Sequence, residues 1–288
     1  MIQLHLYPNQ KKGLNYEIYK FPDGQQSIKI DSFAFQHDVL EVEIVSPFTS
    51  FLDLELIICA NQALKEMGVR KVSLYTPYFL GGRSDRKFEE GTSNYLKTVV
   101  CPIINSQNFH RVTVLDPHSD VIEACLNNFK GIDTLDFASQ VLKDVYSTLV
   151  EANPISESPV VLVSPDAGAL KKVFKIQKAT KIKNLVIGSK NRDIKGQITH
   201  TSISGLKDIN ISNATYVIFD DICDGGRTFL ELAKVIKKEK EDARIVLAVT
   251  HGLFTKGLPI EHVDHVYTTD SIVRDFEPFR LTTINCNK

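Results

Sequence analysis

The sequence predicts an α/β protein made of two similar domains, each with a mainly parallel sheet flanked by helices. Three observations favour this class. The chain has 288 residues, which is longer than one average domain. Short apolar runs rich in β-branched residues alternate with helical stretches, as in proteins built from βαβ units. These runs are continuously apolar, as parallel strands covered on both faces must be.

The first domain is predicted over residues 1–135. Its first clear strand, VLEVEIV (39–45), is followed by a helix with Thr49 or Ser50 as N-cap and Gly68 as the stop. Phe51, Leu54, Ile58 and Leu64 recur near helical spacing within that helix. The elements that follow are a strand KVSLY (71–75), a polar segment (80–92), a helix over 93–106 interrupted by Pro102, and a strand VTVLD (112–116).

The second domain is predicted over residues 136–288. It opens with a helix in DFASQVLKDVYSTLVEA and continues with alternating strands and helices. The predicted strands are PVVLVS (159–164), NLVIGS (184–189), TYVIFDD (215–221) and ARIVLAVTH (243–251), and the helices between them are AGALKKVFKI and GRTFLELAKVIKKEK. Because no low-complexity linker separates the halves, we expect them to pack tightly.

Composition narrows the class of partner. The chain carries 34 basic and 35 acidic side chains, a net charge of −1, whereas proteins that bind nucleic acids or anionic membranes usually have a basic surplus. No apolar run is long enough for a signal peptide or a bilayer span. The five cysteines contain no CxxC pair, which favours a reducing compartment. We therefore expect a cytoplasmic protein with neither a nucleic-acid nor a membrane partner.

The sharpest motif is VIFDDICDGGRT (217–228), in which an apolar strand leads into two adjacent acids, a glycine-rich turn and a helix. Ligands of parallel sheets collect at the carboxyl ends of the strands. Glycines let backbone N–H groups approach a phosphate, and the helix N-terminus adds positive potential. Asp220 and Asp221 can accept hydrogen bonds from a ribose diol, and the phosphate would be held by Asp224, Gly225, Gly226, Arg227 and Thr228. The simpler alternative is an ordinary βα turn with a capping aspartate.

This motif resembles the signature for phosphoribosyl pyrophosphate (PRPP) that type I phosphoribosyltransferases share with ribose-phosphate pyrophosphokinases. Six further segments resemble blocks of the second family: FPDGQ (21–25), PYFLGGRSDR (77–86), LDPHSD (115–120), VSPDAG (163–168), SKNR (189–192) and THGLF (250–254). They occur in family order across nearly the whole chain. The chain is therefore identified as a divergent, short relative of the ribose-phosphate pyrophosphokinases.

The resemblance implies two type I phosphoribosyltransferase-like domains and a role for each block. Lys190 and Arg192 would be catalytic cations on a flap formed by the polar stretch 189–204, for which a solvated surface loop is the plain alternative. Arg83, Ser84 and Arg86 would bind ATP, together with a hairpin carrying Phe21, Asp23 and Gln25. His118, Asp166 and Asp116 follow predicted strands and would hold Mg²⁺. A homo-oligomer, dimeric or hexameric, is also implied.

The implied reaction is Mg-ATP-dependent transfer of a diphosphate to the C1 hydroxyl of ribose 5-phosphate. One departure from the family leaves a second acceptor open. Arg227 stands where the family has a small residue in its phosphate loop, and an extra cation would suit a 5-phosphate ester such as ADP-ribose. A non-catalytic regulatory homologue is the third possibility, but such a protein should have lost Lys190, Arg192 or the metal ligands.

Overall fold

The computed structural model describes residues 2–7, 13–31, 40–152, 159–192, 198–272 and 281–286. The chain divides into two compact units, Met1–Asp133 and Thr134–Asp270, with the last described strand in the second unit. Each unit is built around its own sheet.

The first unit contains a five-stranded parallel sheet in the order β1-β4-β5-β6-β7 and a separate antiparallel hairpin, β2–β3. Its elements are β1 (Ile2–His5), β2 (Tyr16–Lys20), β3 (Gln26–Ile30), β4 (Glu41–Val45), α1 (Phe51–Glu66), β5 (Lys71–Thr76), α2 (Cys101–Ser106), β6 (Val112–Leu115), α3 (Val121–Cys125) and β7 (Phe129–Ile132). The hairpin is tied to α1 because the side-chain amide of Gln26 donates to the carbonyl of Leu52 over 3.0 Å.

Helix α1 begins where the sequence predicts, at a complete capping box. The hydroxyl of Ser50 accepts the Asp53 N–H over 3.3 Å, and the Asp53 carboxylate accepts the Ser50 N–H over 2.9 Å. The helix predicted over 93–106 is not broken at Pro102, but it changes form just before that residue. A π-helical turn, Leu96–Val100, precedes α2, which carries Pro102 in its first turn, where proline costs no hydrogen bond.

The second unit contains a seven-stranded sheet in the order β10-β9-β8-β11-β12-β13-β14. Only the β9–β10 pair is antiparallel among the described strand pairs of this sheet. The elements are α4 (Leu135–Ala152), β8 (Val160–Ser164), α5 (Leu170–Thr180), β9 (Leu185–Arg192), β10 (Ile198–Ser204), β11 (Thr215–Cys223), α6 (Arg227–Glu239), β12 (Arg244–Gly252), β13 (His265–Thr269) and β14 (Leu281–Ile284).

Both faces of the second sheet are covered, as its apolar strands require. Along β8, Val161 and Val163 lie in one core with Leu232 of α6, while Val160 and Leu162 lie in another that includes side chains of α4 and α5. Successive side chains of a strand point to opposite faces, so one short strand serves two cores. The predicted fold class, mainly parallel sheets flanked by helices, is confirmed.

One prediction of local structure was wrong. The polar stretch 189–204 was expected to be a loop, yet residues 189–192 belong to β9 and residues 198–204 form β10. An antiparallel partner can satisfy the backbone of a polar strand, so the usual apolar signal is absent. The central part of the predicted flap, 193–197, lies outside the described residues. No helix in the described part of the chain is both long and apolar enough to cross a membrane.

Replacing Ser50 with alanine should destabilise the first unit by about 1 kcal/mol, because the Asp53 N–H loses its acceptor. The change is measured as a lower midpoint of urea unfolding. Circular dichroism is the suitable signal since the chain has no tryptophan. Ser106→Ala, at the exposed end of α2, is the matched control and should change stability by less than about 0.5 kcal/mol. Equal midpoints for the two variants would contradict the capping assignment.

Candidate active site

The predicted acids and cations of the second unit gather at one edge of its sheet. Val163 of β8 pairs with Ile218 of β11 in parallel register. Asp166 and Asp221 each follow these paired residues by three positions, so they emerge at the same level of neighbouring strands. On the other side of β8, Ile187 of β9 pairs with Ser164, and Lys190 follows three residues later. This edge consists of the carboxyl ends of the parallel strands, where α/β proteins bind ligands.

Lys190 and Asp166 are in direct contact. The Lys190 Nζ lies 2.5 Å from Asp166 Oδ2, while Asp166 Oδ1 accepts the N–H groups of Gly168 at 2.9 Å and Ala169 at 3.1 Å. Burial acts to raise the pKa of Asp166, but the hydrogen bond and charge of Lys190, with the two N–H groups, lower it below its ordinary value. The carboxylate is therefore held ionised, with both oxygens engaged.

Gly188 allows this contact. A Cβ atom at that position would lie 2.7 Å from the carbonyl oxygen of Pro165 and 3.0 Å from that of Ser164. Side chains do not tolerate such distances to backbone atoms. The absence of a side chain therefore lets β9 run close against the end of β8, and Lys190, two residues later, reaches Asp166.

Asp220 and Asp221 follow the apolar part of β11 and are joined by a hydrogen bond. Asp221 is buried, and its N–H donates to the Asp220 carboxylate over 2.9 Å. Burial raises the pKa of Asp220 well above its ordinary range, the Asp221 carboxylate raises it further, and Lys172 acts in the opposite direction. Carboxyl oxygens accept hydrogen bonds from hydroxyl groups, which suits a vicinal diol.

The loop from Asp224 to Thr228 joins β11 to α6. Gly226 is the N-cap of α6 and adopts a φ of +74°, a conformation that favours glycine. A Cβ atom there would also lie only 3.0 Å from Ile260 Cδ1. Arg227 and Thr228 are the first two residues of the helix, whose leading N–H groups have no acceptor within it. The loop therefore has the form of an anion site at a helix N-terminus.

Thr255 is a residue of this edge that the sequence reasoning missed. Its hydroxyl donates to Asp224 Oδ1 over 2.6 Å, and its N–H donates to the Asp224 carbonyl over 3.0 Å. Phe254, one residue earlier, has a φ of +44° and a buried ring. The position after THGLF at the end of β12 was the available signal, because β12 neighbours β11 in the sheet.

Arg192 is the last residue of β9, and its backbone pairs with that of Ile198. Its assignment as a catalytic cation stays a prediction.

In the first unit, Asp116 and His118 follow β6. Asp116 is buried and has a φ of +42°, which is uncommon for a residue with a side chain, and its N–H donates to the Ile132 carbonyl over 2.7 Å. Conformations of this kind are concentrated at functional positions. His118 is exposed, and a Cβ atom on Gly82 would lie 3.9 Å from the His118 Cβ. The segment after β5 therefore meets the end of β6.

That segment carries the predicted ATP residues Arg83, Ser84 and Arg86. The Ser84 N–H donates to the Gly81 carbonyl over 2.8 Å, which closes a turn between these two residues. The Ser84 carbonyl accepts the Leu96 N–H over 3.1 Å. Arg83 is exposed beside Gly82. Arg86 is 75% exposed and stacks on the ring of Phe88 at 5.4 Å.

The other predicted ATP residues, Phe21, Asp23 and Gln25, form the tip of the β2–β3 hairpin. Asp23 Oδ1 accepts the Gln25 N–H over 3.1 Å, and the Phe21 N–H donates to the Gln25 carbonyl over 2.8 Å. The Phe21 ring is 45% exposed and meets Tyr19 edge-on. An exposed aromatic ring on a well-formed turn can stack on a nucleobase, and this role stays a prediction.

The predicted metal ligands are divided between the units, with Asp116 and His118 in the first and Asp166 in the second. Across the described ranges, no group of three or more histidine, cysteine, aspartate and glutamate side chains is arranged to hold a metal ion. Single carboxylates at strand ends still fit Mg²⁺, which keeps several waters and takes further ligands from substrate phosphates.

The chain is similar to known proteins in both sequence and structure. Curated ribose-phosphate pyrophosphokinases from Thermosipho africanus and Thermotoga maritima are each 25% identical to the chain, over 274 and 287 residues. These matches cover 93% and 97% of this chain and 82% and 85% of the relatives. The crystal structure of phosphoribosylpyrophosphate synthetase from Mycobacterium smegmatis matches with a TM-score of 0.74 and 17% identity, over 95% of this chain and 86% of that one. No protein-family model matches the chain.

Fold and site edge together define an α/β protein with mainly parallel sheets and acidic side chains at the carboxyl ends of the strands. The chain is similar to ribose-phosphate pyrophosphokinases over nearly its whole length, and the resemblance drawn from its motifs is confirmed. The expectation of a transferase of that type is confirmed by the same comparisons.

Gly188→Ala should destabilise the second unit by roughly 1–3 kcal/mol, because the new methyl group meets two carbonyl oxygens and the Leu232 side chain. The midpoint of urea unfolding measures this loss. Ser189→Ala is a matched control, because Ser189 is the next residue along the chain, is exposed and already has a Cβ atom. If Gly188→Ala proved as stable as Ser189→Ala, the close approach of β9 to β8 would be refuted.

Proposed function

We propose that the chain is a Mg-ATP-dependent ribose-phosphate pyrophosphokinase that converts ribose 5-phosphate and ATP into PRPP and AMP. The C1 hydroxyl oxygen attacks the β-phosphorus and loses its proton to solvent. The bond from that phosphorus to the α-phosphate oxygen breaks, and AMP leaves with that oxygen. The names of the relatives support PRPP synthesis in general. The observation that carries the finer proposal is the convergence of Lys190, Asp166, the Asp220–Asp221 pair and the 224–228 loop at one sheet edge.

Each group at this edge has a part in the proposed reaction. Asp220 and Asp221 hydrogen-bond the ribose diol, which positions the C1 hydroxyl. The loop N–H groups and Thr228 bind the 5-phosphate at the positive end of α6. Phosphoryl transfer depends mainly on positioning and on positive charge near the phosphoryl oxygens. We assign that charge to Lys190 and Arg192.

Lys190 must change partners to act. Its ammonium group is hydrogen-bonded to Asp166, so contact with a polyphosphate requires exchange of one anion for another. The exchange leaves Asp166 Oδ2 available, and Asp166 is one of the residues we assign to Mg²⁺ with Asp116 and His118. Bound Mg²⁺ would neutralise phosphate charge and orient the triphosphate.

We place the donor segments in the first unit. Arg83 and Arg86 are exposed guanidinium groups that can make forked contacts to ATP phosphates. The hairpin tip with Phe21, Asp23 and Gln25 is assigned to the adenosine part of ATP, and Ser84 to the turn beneath the arginines. A homo-oligomer, as the resemblance implies, and a cytoplasmic location, as the cysteine pattern indicates, complete the proposal.

A second acceptor, ADP-ribose, is favoured by one observation. Arg227 is exposed at the first position of α6, directly after the phosphate loop, and supplies a guanidinium group beyond the backbone donors. The second phosphate of a diphosphate ester would use that charge. The product would then be ADP-ribose pyrophosphate. A non-catalytic regulatory role is disfavoured because the Lys190–Asp166 pair is retained.

The acceptor is tested by incubating the protein with Mg-ATP and either ribose 5-phosphate or ADP-ribose, with AMP as the readout. We expect AMP formation with ribose 5-phosphate. AMP formation with ADP-ribose alone would reverse the order of the two acceptors. Absence of AMP with both would favour the non-catalytic homologue. ATP without acceptor gives the background rate.

Lys190→Ala should reduce AMP formation by several orders of magnitude, on the scale of roughly 10³–10⁵ for a cation that stabilises a transferring phosphoryl group. Binding of ATP should persist, because the residues assigned to ATP lie in the first unit. Lys183→Ala removes an exposed lysine just before β9 and should leave the rate unchanged. Unchanged turnover in Lys190→Ala would remove Lys190 from its proposed role.

A further inference from the structure

The segment that follows β12, residues 253–257, is fixed directly onto the phosphate loop. The N–H groups of Leu253 and Phe254 donate to the Cys223 carbonyl over 2.9 and 3.1 Å. Thr255 adds two hydrogen bonds to Asp224, from its N–H and from its hydroxyl. These four contacts join two strand ends that are neighbours in the sheet. The segment is therefore a structural part of the loop's surroundings and keeps a set position beside it.

Lys256 lies against the loop through its aliphatic stem. A Cβ atom built on Gly225 would be 3.2 Å from Lys256 Cγ and 3.7 Å from the Thr255 hydroxyl. The stem thus crosses the open face of Gly225, and two further methylene groups separate Cγ from the ammonium group. That length lets the charge reach an anion held by the loop. Lysine combines an apolar stem with a mobile point charge, and so suits this position.

The ammonium group of Lys256 is available for a ligand. Lys256 is exposed, and within the described part of the chain it forms no ion pair. The carboxylate of Asp224, the first residue of the loop, accepts the Thr255 hydroxyl. With Arg227 at the start of α6, the loop therefore has a cationic side chain from each of two neighbouring strand connections.

We propose that Lys256 is a further binding residue for the acceptor, contacting the phosphoryl group attached to its ribose O5. This inference rests on the proposed function, because it assumes that the 224–228 loop binds that group. The chemistry recognised is a 5-phosphoryl ribose, whether a monoester or a diphosphate ester. Lys256 does not approach the reacting atoms in this assignment, so it acts on acceptor affinity and not on the chemical step.

The test compares Lys256→Ala with Lys238→Ala, which removes the same charge from the exposed far end of α6. Equilibrium titrations with ribose 5-phosphate and with ADP-ribose are made on the unvaried protein and both variants, beside steady-state kinetics. Lys256→Ala should weaken binding and raise the KM of the accepted compound about ten-fold, the loss expected for one charge-assisted contact. Its kcat and the KM of Mg-ATP should change far less.

Two additional measurements sharpen the result. Lys256→Arg should retain most of the affinity because it keeps the charge. The affinity gap between the unvaried protein and Lys256→Ala should narrow as salt is added, since an exposed ionic contact is screened.

The outcomes separate this inference from the proposed function. Normal turnover with equal acceptor affinities in Lys256→Ala and Lys238→Ala would overturn the role of Lys256 alone. A fall in kcat without a change in acceptor affinity would overturn it as well. If the unvaried protein bound neither acceptor, the proposed function and this inference would both be contradicted.

Discussion

The close approach of β9 to the end of β8 is the constraint on which the candidate active site depends. It exists because Gly188 has no side chain, so the carbonyl oxygens of Ser164 and Pro165 can lie where a Cβ atom would otherwise be. The approach brings Lys190 within hydrogen-bonding distance of Asp166. Lys190, which we assign to the transferring phosphoryl group, is thereby hydrogen-bonded to Asp166, which we assign to the metal. Lys190 keeps the Asp166 carboxylate ionised, and their hydrogen bond holds both side chains in place before a substrate arrives.

Glycines also allow close packing in the phosphate loop. Two features favour glycine at position 226: its left-handed backbone conformation and the nearness of the Ile260 side chain. At position 225, the absence of a side chain lets the Lys256 stem lie across the backbone. The two glycines thus shape the path of the chain and clear space for neighbouring side chains. The contacts of Thr255 to Asp224 then tie the loop to the next strand. The loop proposed to bind the 5-phosphate is in this way joined to the edge of the sheet.

Part of the charge at this edge is already paired before any ligand is present. Lys190 compensates Asp166, and Asp220 has a raised pKa because it is buried beside Asp221. Adding a phosphorylated sugar and a triphosphate introduces negative charge that the bare site does not carry. The cations Arg227 and Lys256 near the loop, and any Mg²⁺ bound with ATP, would offset it. The arrangement is suited to bringing two anionic substrates together.

The sequence by itself determined the α/β class, the order of most strands and helices, and the residues of the DD-x-x-D-G-G-R-T loop. These follow from features of residues close together in the chain: apolar runs, helix caps such as Ser50, and glycines flanked by residues that favour a turn. Tertiary structure alone decided that 189–192 and 198–204 are paired strands, that Lys190 rests on Asp166, and that Thr255 and Lys256 border the loop. The contact of Lys190 with Asp166 joins residues 24 positions apart, and that of Thr255 with Asp224 joins residues 31 positions apart. Their partners are set by strand order and register, and neither is encoded in any local pattern of residues.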